Sequence, residues 1–116
     1  MEITRLHVGK RLSDVAIHNG TVYLAGQIPD DTGADIVGQT RQVLDHVDRL
    51  LMEAGSDKSC ILMCQIFLSD MQYFPGMNEV WDDWVASGHT PPRATVEVKL
   101  ANPAILVEIV VTAALR

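Results

Sequence analysis

One carboxylate interrupts the most apolar stretch of the chain and is the first candidate for chemistry. Glu108 lies inside Ala-Ile-Leu-Val-Glu-Ile-Val-Val, residues 104–111. Burying a carboxylate in such a segment is unfavourable unless a cation or hydrogen-bond donors accompany it. Two interpretations stay open on this basis alone. Glu108 either forms a structural ion pair or protects an edge strand, or it is a partly buried acid that acts at a cleft.

An arginine at the start of a predicted strand is the natural companion of this acid. Arg93 follows Pro91-Pro92, a pair that forces an extended approach to the sheet. Its guanidinium presents a rigid fork of donors that matches a carboxylate. Taken alone, Arg93 is more simply a surface residue. We expect it to start a strand that neighbours the strand of Glu108 in antiparallel fashion, so that both side chains face one cleft.

The other residue types that carry chemistry show no arrangement typical of a metal or cofactor site. The four histidines lie at spacings that no common metal site uses: His7, His18, His46 and His89. The chain has no glycine-rich phosphate loop and no serine in a nucleophile elbow. The sequence therefore predicts no metal centre, no phosphate-binding loop and no serine nucleophile of the elbow type.

The two cysteines are predicted to be free thiols. Cys60 and Cys64 lie four residues apart in an apolar run that is typical of a strand. At roughly 3.3 Å per residue their Cα atoms would be about 13 Å apart, too far for a disulfide. We expect both to be small buried hydrophobes. The alternative is a reactive thiol, which needs a nearby cation, and the neighbouring sequence offers none.

Length and composition limit the classes of protein that the chain can represent. Its 116 residues suit one domain spanning 1–116, and 47% hydrophobic with 21% charged residues is typical of a globular protein. The formal charge of −6 argues against nucleic acid as a partner. No apolar run approaches the ~20 residues that cross a bilayer, and the first residues do not resemble a signal peptide. We expect a cytoplasmic protein without a membrane partner.

The elements that must position Arg93 and Glu108 follow from periodicity and turn residues. Three short strands come first, the second and third joined by Asn19-Gly20, a strong hairpin signal. Apolar residues at three- and four-residue spacing predict a helix from residue 36 to 54, capped by Gly55. The remaining elements are a strand at 60–69, a helix at 74–85, and strands at 93–100 and 104–115. The order β-β-β-α-β-α-β-β predicts an α+β sandwich with two helices on one face of a mixed sheet.

Two of these strands are apolar on both faces. In 60–68, one face is expected to carry Cys60, Leu62, Cys64, Ile66 and Leu68, and the other Ile61, Met63 and Phe67. Two helices cover only one face of a sheet, and a bare apolar face of this size would aggregate. We therefore expect a second copy of the chain to cover it.

Three segments resemble the Rid (YjgF-type) family of reactive-intermediate deaminases. Ala25-Gly26-Gln27-Ile28-Pro29 is similar to the SGQIP-like segment of that family. Residues 92–98, Pro-Arg-Ala-Thr-Val-Glu-Val, resemble its P-x-R-x-x-V-x-V segment, and residues 107–109, Val-Glu-Ile, its final-strand I-E-I. The similarity runs through nearly the whole chain, and residues 13–15 and 102–103 are most similar to a YoaB-like branch.

This resemblance implies a fold, an assembly and an activity. The fold is that of bacillus-type chorismate mutase, assembled as a homotrimer in which the sheets form a central barrel and the active clefts lie between subunits. The activity is hydrolysis of 2-imino or enamine acids, such as tautomers of 2-aminoacrylate, to 2-keto acids and ammonia. No metal or organic cofactor is implied.

The resemblance also assigns roles to individual residues. Arg93 aligns with the arginine that binds the substrate carboxylate, and Glu108 with the glutamate that activates a water. Leu12, Ala25 and Thr95 occupy substrate-binding positions where the family often has tyrosine, serine and cysteine. These departures imply a changed substrate range or a weaker activity, and Leu12 implies a more apolar substrate.

Two other functions are weighed against imine hydrolysis. The same cleft suits a non-catalytic module that binds or senses a small carboxylate metabolite, in which Arg93 is needed and Glu108 is not. RNA cleavage, a label that some members of the family carry, is disfavoured by the charge of −6 and by the absence of a basic patch in the sequence.

Overall fold

The computed structural model describes residues 2–116 and contains one six-stranded mixed sheet in the order β1-β2-β3-β6-β4-β5. The strands are β1 Thr4–Val8, β2 Ser13–His18, β3 Thr21–Leu24, β4 Ile61–Leu68, β5 Arg93–Glu97 and β6 Val107–Ala114. The helices are α1 Ile36–Ala54 and α2 Phe74–Trp84, and short 3-10 turns, Lys58–Cys60 and Met71–Tyr73, precede β4 and α2. Only β4 and β5 pair in parallel among the neighbouring strands. The predicted order of elements is confirmed.

Local signals set the hairpin and the first helix as expected. Asn19 and Gly20 both have positive φ, 52° and 78°, which a type I′ turn requires. The side chain of Asp35 accepts a hydrogen bond from the Gly38 N–H and caps α1. Gly55 ends the helix in the left-handed conformation at φ 89°. The apolar stripe of α1 is buried against the sheet at Val43, Leu44, Val47, Leu50 and Leu51.

The strand at 60–68 differs from the prediction at one residue. Between Ile61 and Met63 the register with β6 advances by only one residue, from Ala113 to Thr112, so β4 carries one extra residue there. This bulge places Ile61 in the core, whereas Leu62 is 50% exposed. The expectation that Leu62 shares a buried face with Cys64 is wrong, because strict alternation does not hold across a bulge.

A buried glutamine connects two loops to α1. Gln39 is fully buried, and its amide nitrogen lies 2.9 to 3.2 Å from the carbonyl oxygens of Thr32, Ala34 and Ala104. Its amide oxygen accepts a hydrogen bond of 2.8 Å from the Leu106 N–H. These bonds take up the polar backbone just before β6, which explains why that strand begins at Val107 rather than at residue 104.

The second face of the sheet has no helix over it, as predicted. Side chains on this open face include Tyr23, Met63, Phe67, Val96 and Val110, and the first two are 49% and 42% exposed. Both helices pack on the other face, where the core lies. Neither helix within residues 2–116 has the length and apolar character to cross a membrane.

Replacing the buried glutamine tests its role as a connector. We expect Gln39→Leu to lower the free energy of unfolding by about 3 kcal/mol or more, because it leaves buried carbonyl and N–H groups without partners. Gln42→Leu is the matched control, since Gln42 makes one exposed bond to the Asp31 N–H. Urea denaturation followed by circular dichroism gives both values, and equal losses for the two variants would contradict the role of Gln39.

Candidate active site

Helix α2 holds the guanidinium of Arg93 in place. Its Nη1 donates a hydrogen bond of 2.8 Å to Asn78 Oδ1. The guanidinium carbon lies 5.0 Å from the ring centroid of Trp81 and 5.8 Å from that of Phe74, within the range of cation–π attraction. Arg93 is therefore not a free surface arginine, because an amide and two rings from one helix fix its position.

A cavity of about 310 Å³ lies beside this arginine and is lined by Met71, Phe74, Arg93 and Thr95. Among residues 2–116, no carboxylate lies within ion-pair distance of Arg93. The amide of Asn78 is neutral and occupies one nitrogen, so the remaining donors keep a full positive charge for a ligand. The cavity suits a small carboxylic acid whose body contacts the apolar side chains.

The thiol of Cys64, which lies near Arg93, is fully buried. Cys64 pairs with Arg93 in the parallel ladder of β4 and β5. Burial raises the pKa of the Cys64 thiol to about 12, although the positive charge of Arg93 acts to lower it. The expectation that no cation lies near a cysteine is thus wrong, because strand pairing brings Arg93 there. The inert character of Cys64 is as expected, whereas Cys60 is only half-buried.

Glu108 lies on the open face of the sheet. Val107, Ile109 and Val111 are buried beneath the helices, and Glu108 between them is half-buried on the opposite side. Its carboxylate rests directly on Gly26, where any Cβ would overlap with it. The backbone of Gln27 pairs with that of Ile109 through bonds of 2.8 and 3.1 Å, which fixes Gly26 in this position. A side chain at position 26 would displace the Glu108 carboxylate from this place.

The remaining predicted site residues line a second cavity. Leu12, Ala25 and Gly26 border a space of about 340 Å³, together with His46 and Arg49 on the outer side of α1. Leu12 is 60% exposed. This group adjoins the backbone that supports Glu108, and none of its members lines the cavity beside Arg93.

A series of polar side-chain contacts along α1, which was not predicted from the sequence, holds the loop after Gln27 against the helix. His46 Nε2 lies 3.1 Å from Asp30 Oδ2, and His46 Nδ1 lies 3.1 Å from Arg49 Nη2. Arg49 in turn lies 3.7 Å from Glu53. The three- and four-residue spacing of His46, Arg49 and Glu53 was a signal for such a chain, but Asp30 could be added only from the fold.

The expected cleft between Arg93 and Glu108 is absent within one protomer. Strand β4 lies between β5 and β6, so the two residues are not on neighbouring strands. Arg93 pairs with Cys64 and Glu108 with Phe67. Cys64 and Phe67 are three residues apart in one strand, so their side chains, and those of their partners, point to opposite faces. The prediction of one shared cleft is wrong for the isolated chain.

Sequence reasoning singled out neither Asn78 nor Trp81 as a site residue. Trp81 is buried in the core, but its ring also lies under Arg93. A lone asparagine on an amphipathic helix carries no distinguishing pattern, so only the pairing of β4 with β5 reveals its partner. Among residues 2–116, no group of three histidine, cysteine or acidic side chains is placed to hold a metal ion.

Alkylation distinguishes the two thiols. We expect iodoacetamide at pH about 8 to modify Cys60 and to leave Cys64 unmodified until the protein unfolds, because burial keeps the Cys64 thiol protonated. Mass spectrometry of the native and urea-treated protein measures this. The raised pKa of Cys64 also stabilises the fold below pH 9.0, and this contribution is lost as pH rises towards about 12. Native modification of Cys64 at the rate of Cys60 would contradict the assignment.

Comparison with known proteins places this geometry in context. The family model described as Endoribonuclease L-PSP matches residues 2–115. A RutC family protein of Haemophilus ducreyi is 50% identical over 114 residues, covering 98% of this chain and 97% of the relative. The RutC family protein YoaB of Escherichia coli is 46% identical over 114 residues, covering 98% of this chain and 99% of the relative.

Solved structures show the same fold. A member of the YjgF protein family from Neisseria meningitidis superposes with a TM-score of 0.97 at 44% identity, covering 100% of this chain and 97% of that chain. A protein of unknown function from the conserved Rid family of Yersinia pestis gives a TM-score of 0.85 at 35% identity, covering 93% of this chain and 90% of that chain.

Proposed function

The chain belongs to the Endoribonuclease L-PSP family, which includes RutC and YjgF/Rid proteins, and from this premise we propose that it hydrolyses reactive 2-imino acids. The products are 2-keto acids and ammonia, and enamine tautomers such as 2-aminoacrylate enter as the imine. The observation that carries the proposal is the guanidinium of Arg93, fixed by Asn78 and Trp81 beside a small cavity and without a carboxylate partner among residues 2–116.

The reaction needs orientation and one proton acceptor. Arg93 binds the substrate carboxylate through two parallel hydrogen bonds and fixes the neighbouring imine carbon. A water held by Glu108 attacks this carbon while the carboxylate takes up a proton. Glu108 returns this proton to the nitrogen of the resulting amino alcohol, the carbon–nitrogen bond breaks as the carbon–oxygen double bond forms, and the hydroxyl proton passes through Glu108 to the departing ammonia, which leaves as ammonium. The protonated imine is already electrophilic, so no metal or organic cofactor is proposed.

The site needs a second subunit, because Arg93 and Glu108 of one protomer point to opposite faces. We propose a homotrimer with the architecture of chorismate mutase, in which the open faces pack together and Arg93 of one subunit meets Glu108 of the next. Two features support this assembly. Arg93 starts the edge strand β5, from which a side chain can extend towards a neighbour, and Glu108 lies on the apolar face that needs cover.

The other site residues belong to the two halves of this proposed cleft. Thr95 lines the cavity beside Arg93, and Ala25 and Leu12 line the second cavity together with Gly26, on which the Glu108 carboxylate rests. Ala25 and Leu12 offer no hydroxyl, which favours substrates with an apolar side chain. We place the reaction in the cytoplasm, where free thiols such as Cys60 and Cys64 stay reduced.

The assay follows release of keto acid from imino acids freshly made by an amino-acid oxidase. We expect Arg93→Ala to lower kcat/KM by about two orders of magnitude, because two charge-assisted hydrogen bonds are lost. Arg93→Lys should recover only part of it, since an ammonium cannot replace the fork. Arg41→Ala, an exposed arginine on α1, is the control and should leave the rate unchanged. Release no faster than in buffer would contradict the proposal.

The alternative function is non-catalytic binding of a small carboxylate metabolite. It is favoured by the cavity at Arg93, which a single protomer forms without Glu108. Glu108→Gln separates the two functions. For a hydrolase we expect kcat to fall about 100-fold or more, with little change in the Kd of 2-oxobutanoate. A binding module would show thermal stabilisation by the same acid and no turnover in any variant. RNA cleavage is not proposed, because the charge of −6 opposes binding to phosphate.

The assembly has its own test. Met63 lies on the open face and is 42% exposed, whereas Met52 is 67% exposed on α1. We expect Met63→Glu to convert the trimer to monomer, because three buried charges would meet in the barrel. Met52→Glu should leave the trimer intact. Sedimentation velocity at micromolar concentration measures both, and a stable, well-folded wild-type monomer would contradict the homotrimer.

A further inference from the structure

Both tryptophans of the chain lie in a series of contacts that connects Arg93 with a carboxylate on α1. Trp84 Nε1 donates a hydrogen bond of 2.9 Å to Asp48 Oδ2. The ring centroids of Trp81 and Trp84 lie 5.4 Å apart with 49° between the ring planes, a favourable separation for an aromatic pair. The guanidinium carbon of Arg93 lies 5.0 Å from the Trp81 centroid. The contacts thus run from α1 through α2 to the start of β5.

A lysine holds the outer tryptophan from a further direction. Lys58 lies in the 3-10 turn before β4, and its Nζ donates a hydrogen bond to the carbonyl oxygen of Trp84. The same ammonium lies 5.3 Å from the centroid of the Trp84 ring, within the range of cation–π attraction. Trp84 is therefore held at its ring nitrogen, its ring face and its backbone. Its ring cannot rotate without breaking the bond to Asp48, so it forms a fixed support for Trp81.

The carboxylate at the far end of the series occupies an unfavourable place. Asp48 is half-buried, and this burial raises the pKa of its carboxyl group, although the hydrogen bond from Trp84 and the charge of Lys58 act to lower it. Asp45, one turn earlier, adds a like charge that raises the pKa further. An apolar side chain at position 48 would avoid this cost. The gain that offsets the cost is the fixed orientation of the Trp84 ring.

We propose that Asp48 is a positioning residue for the carboxylate-binding site and acts on Arg93 through Trp84 and Trp81. The hydrogen bond sets the orientation of the Trp84 ring, and the Trp81 ring packs against it and carries the guanidinium on its face. A guanidinium forms two parallel bonds to a carboxylate only when its plane is correctly directed. The inference rests on the proposed function, because it takes Arg93 as the group that binds the substrate carboxylate.

The test measures the Kd of 2-oxobutanoate by calorimetric titration. Asp48→Leu keeps a side chain of similar size and removes the acceptor, whereas Asp48→Asn keeps an amide oxygen that can accept the same bond. We expect Asp48→Leu to raise the Kd about three- to tenfold, the usual extent of coupling within one network of contacts. Asp48→Asn should bind nearly as the wild type does. Asp45→Leu, an exposed position on the same helix, is the control and should leave the Kd unchanged.

A second substitution removes the same bond from its other end. Trp84→Phe keeps an aromatic ring and loses the N–H donor. It should also raise the Kd, and adding Asp48→Leu to it should change the Kd little further, because one bond is lost in both. The tryptophan bands of the near-ultraviolet circular dichroism spectrum come from Trp81 and Trp84 alone. They should change in Asp48→Leu and return to the wild-type form in Asp48→Asn, whereas the far-ultraviolet spectrum stays the same in both.

A contact that only joins the two helices would give other results. A wild-type Kd in Asp48→Leu and Trp84→Phe, with a lower melting temperature and binding that still requires Arg93, overturns the positioning role and leaves the proposed function intact. Additive effects of the two substitutions overturn the shared route through Trp84. If Asp48→Leu does not fold, a wild-type Kd in Trp84→Phe overturns the role by itself. Binding of 2-oxobutanoate that survives Arg93→Ala overturns the proposed function and this inference together.

Discussion

The antiparallel pairing of β4 with β6 is the constraint on which the rest of the molecule depends. It buries Cys64, Ile66 and Leu68 with Val107, Ile109 and Val111 against the helices, and this burial fixes the register, because a slip of one residue would expose the whole apolar set. The same register decides the side on which every polar residue emerges. Arg93 must contact α2, and Glu108 must lie on the open face. The register of β4, β5 and β6 therefore decides which face of the sheet each candidate site residue occupies.

Two contacts show how closely the backbone around the site is specified. Gln39 binds the loops before α1 and before β6 through one buried amide, so the entry of β6 cannot shift without breaking several hydrogen bonds. Because Gly26 has no side chain, the Glu108 carboxylate can lie where a Cβ would otherwise be. Gln39 acts on the strand of Glu108 through the backbone, whereas Gly26 contacts the Glu108 carboxylate directly.

Local patterns sufficed to predict the elements, and they singled out Arg93 and Glu108 as candidates, whose roles stay predictions. The apolar stripe of α1, the Asn19-Gly20 turn and the uncovered sheet face were all predicted from spacing and composition, because each depends on neighbours in sequence. The strand order was not, since the insertion of β6 between β3 and β4 depends on contacts between distant segments. That order separated Arg93 from Glu108. The bulge at Leu62 and the Asn78 contact likewise arise from pairing that no local pattern encodes.

The loop after Gln27 is held to α1 through Asp30, Asp31, Thr32 and Ala34, each bonded to a helix side chain. A segment tethered in this way is poorly suited to swing over a bound molecule. A hydrolase built so would draw no selectivity from closure of this loop over its substrate. For the proposed hydrolase, discrimination between substrates would then depend on contacts that are already in place before the substrate arrives.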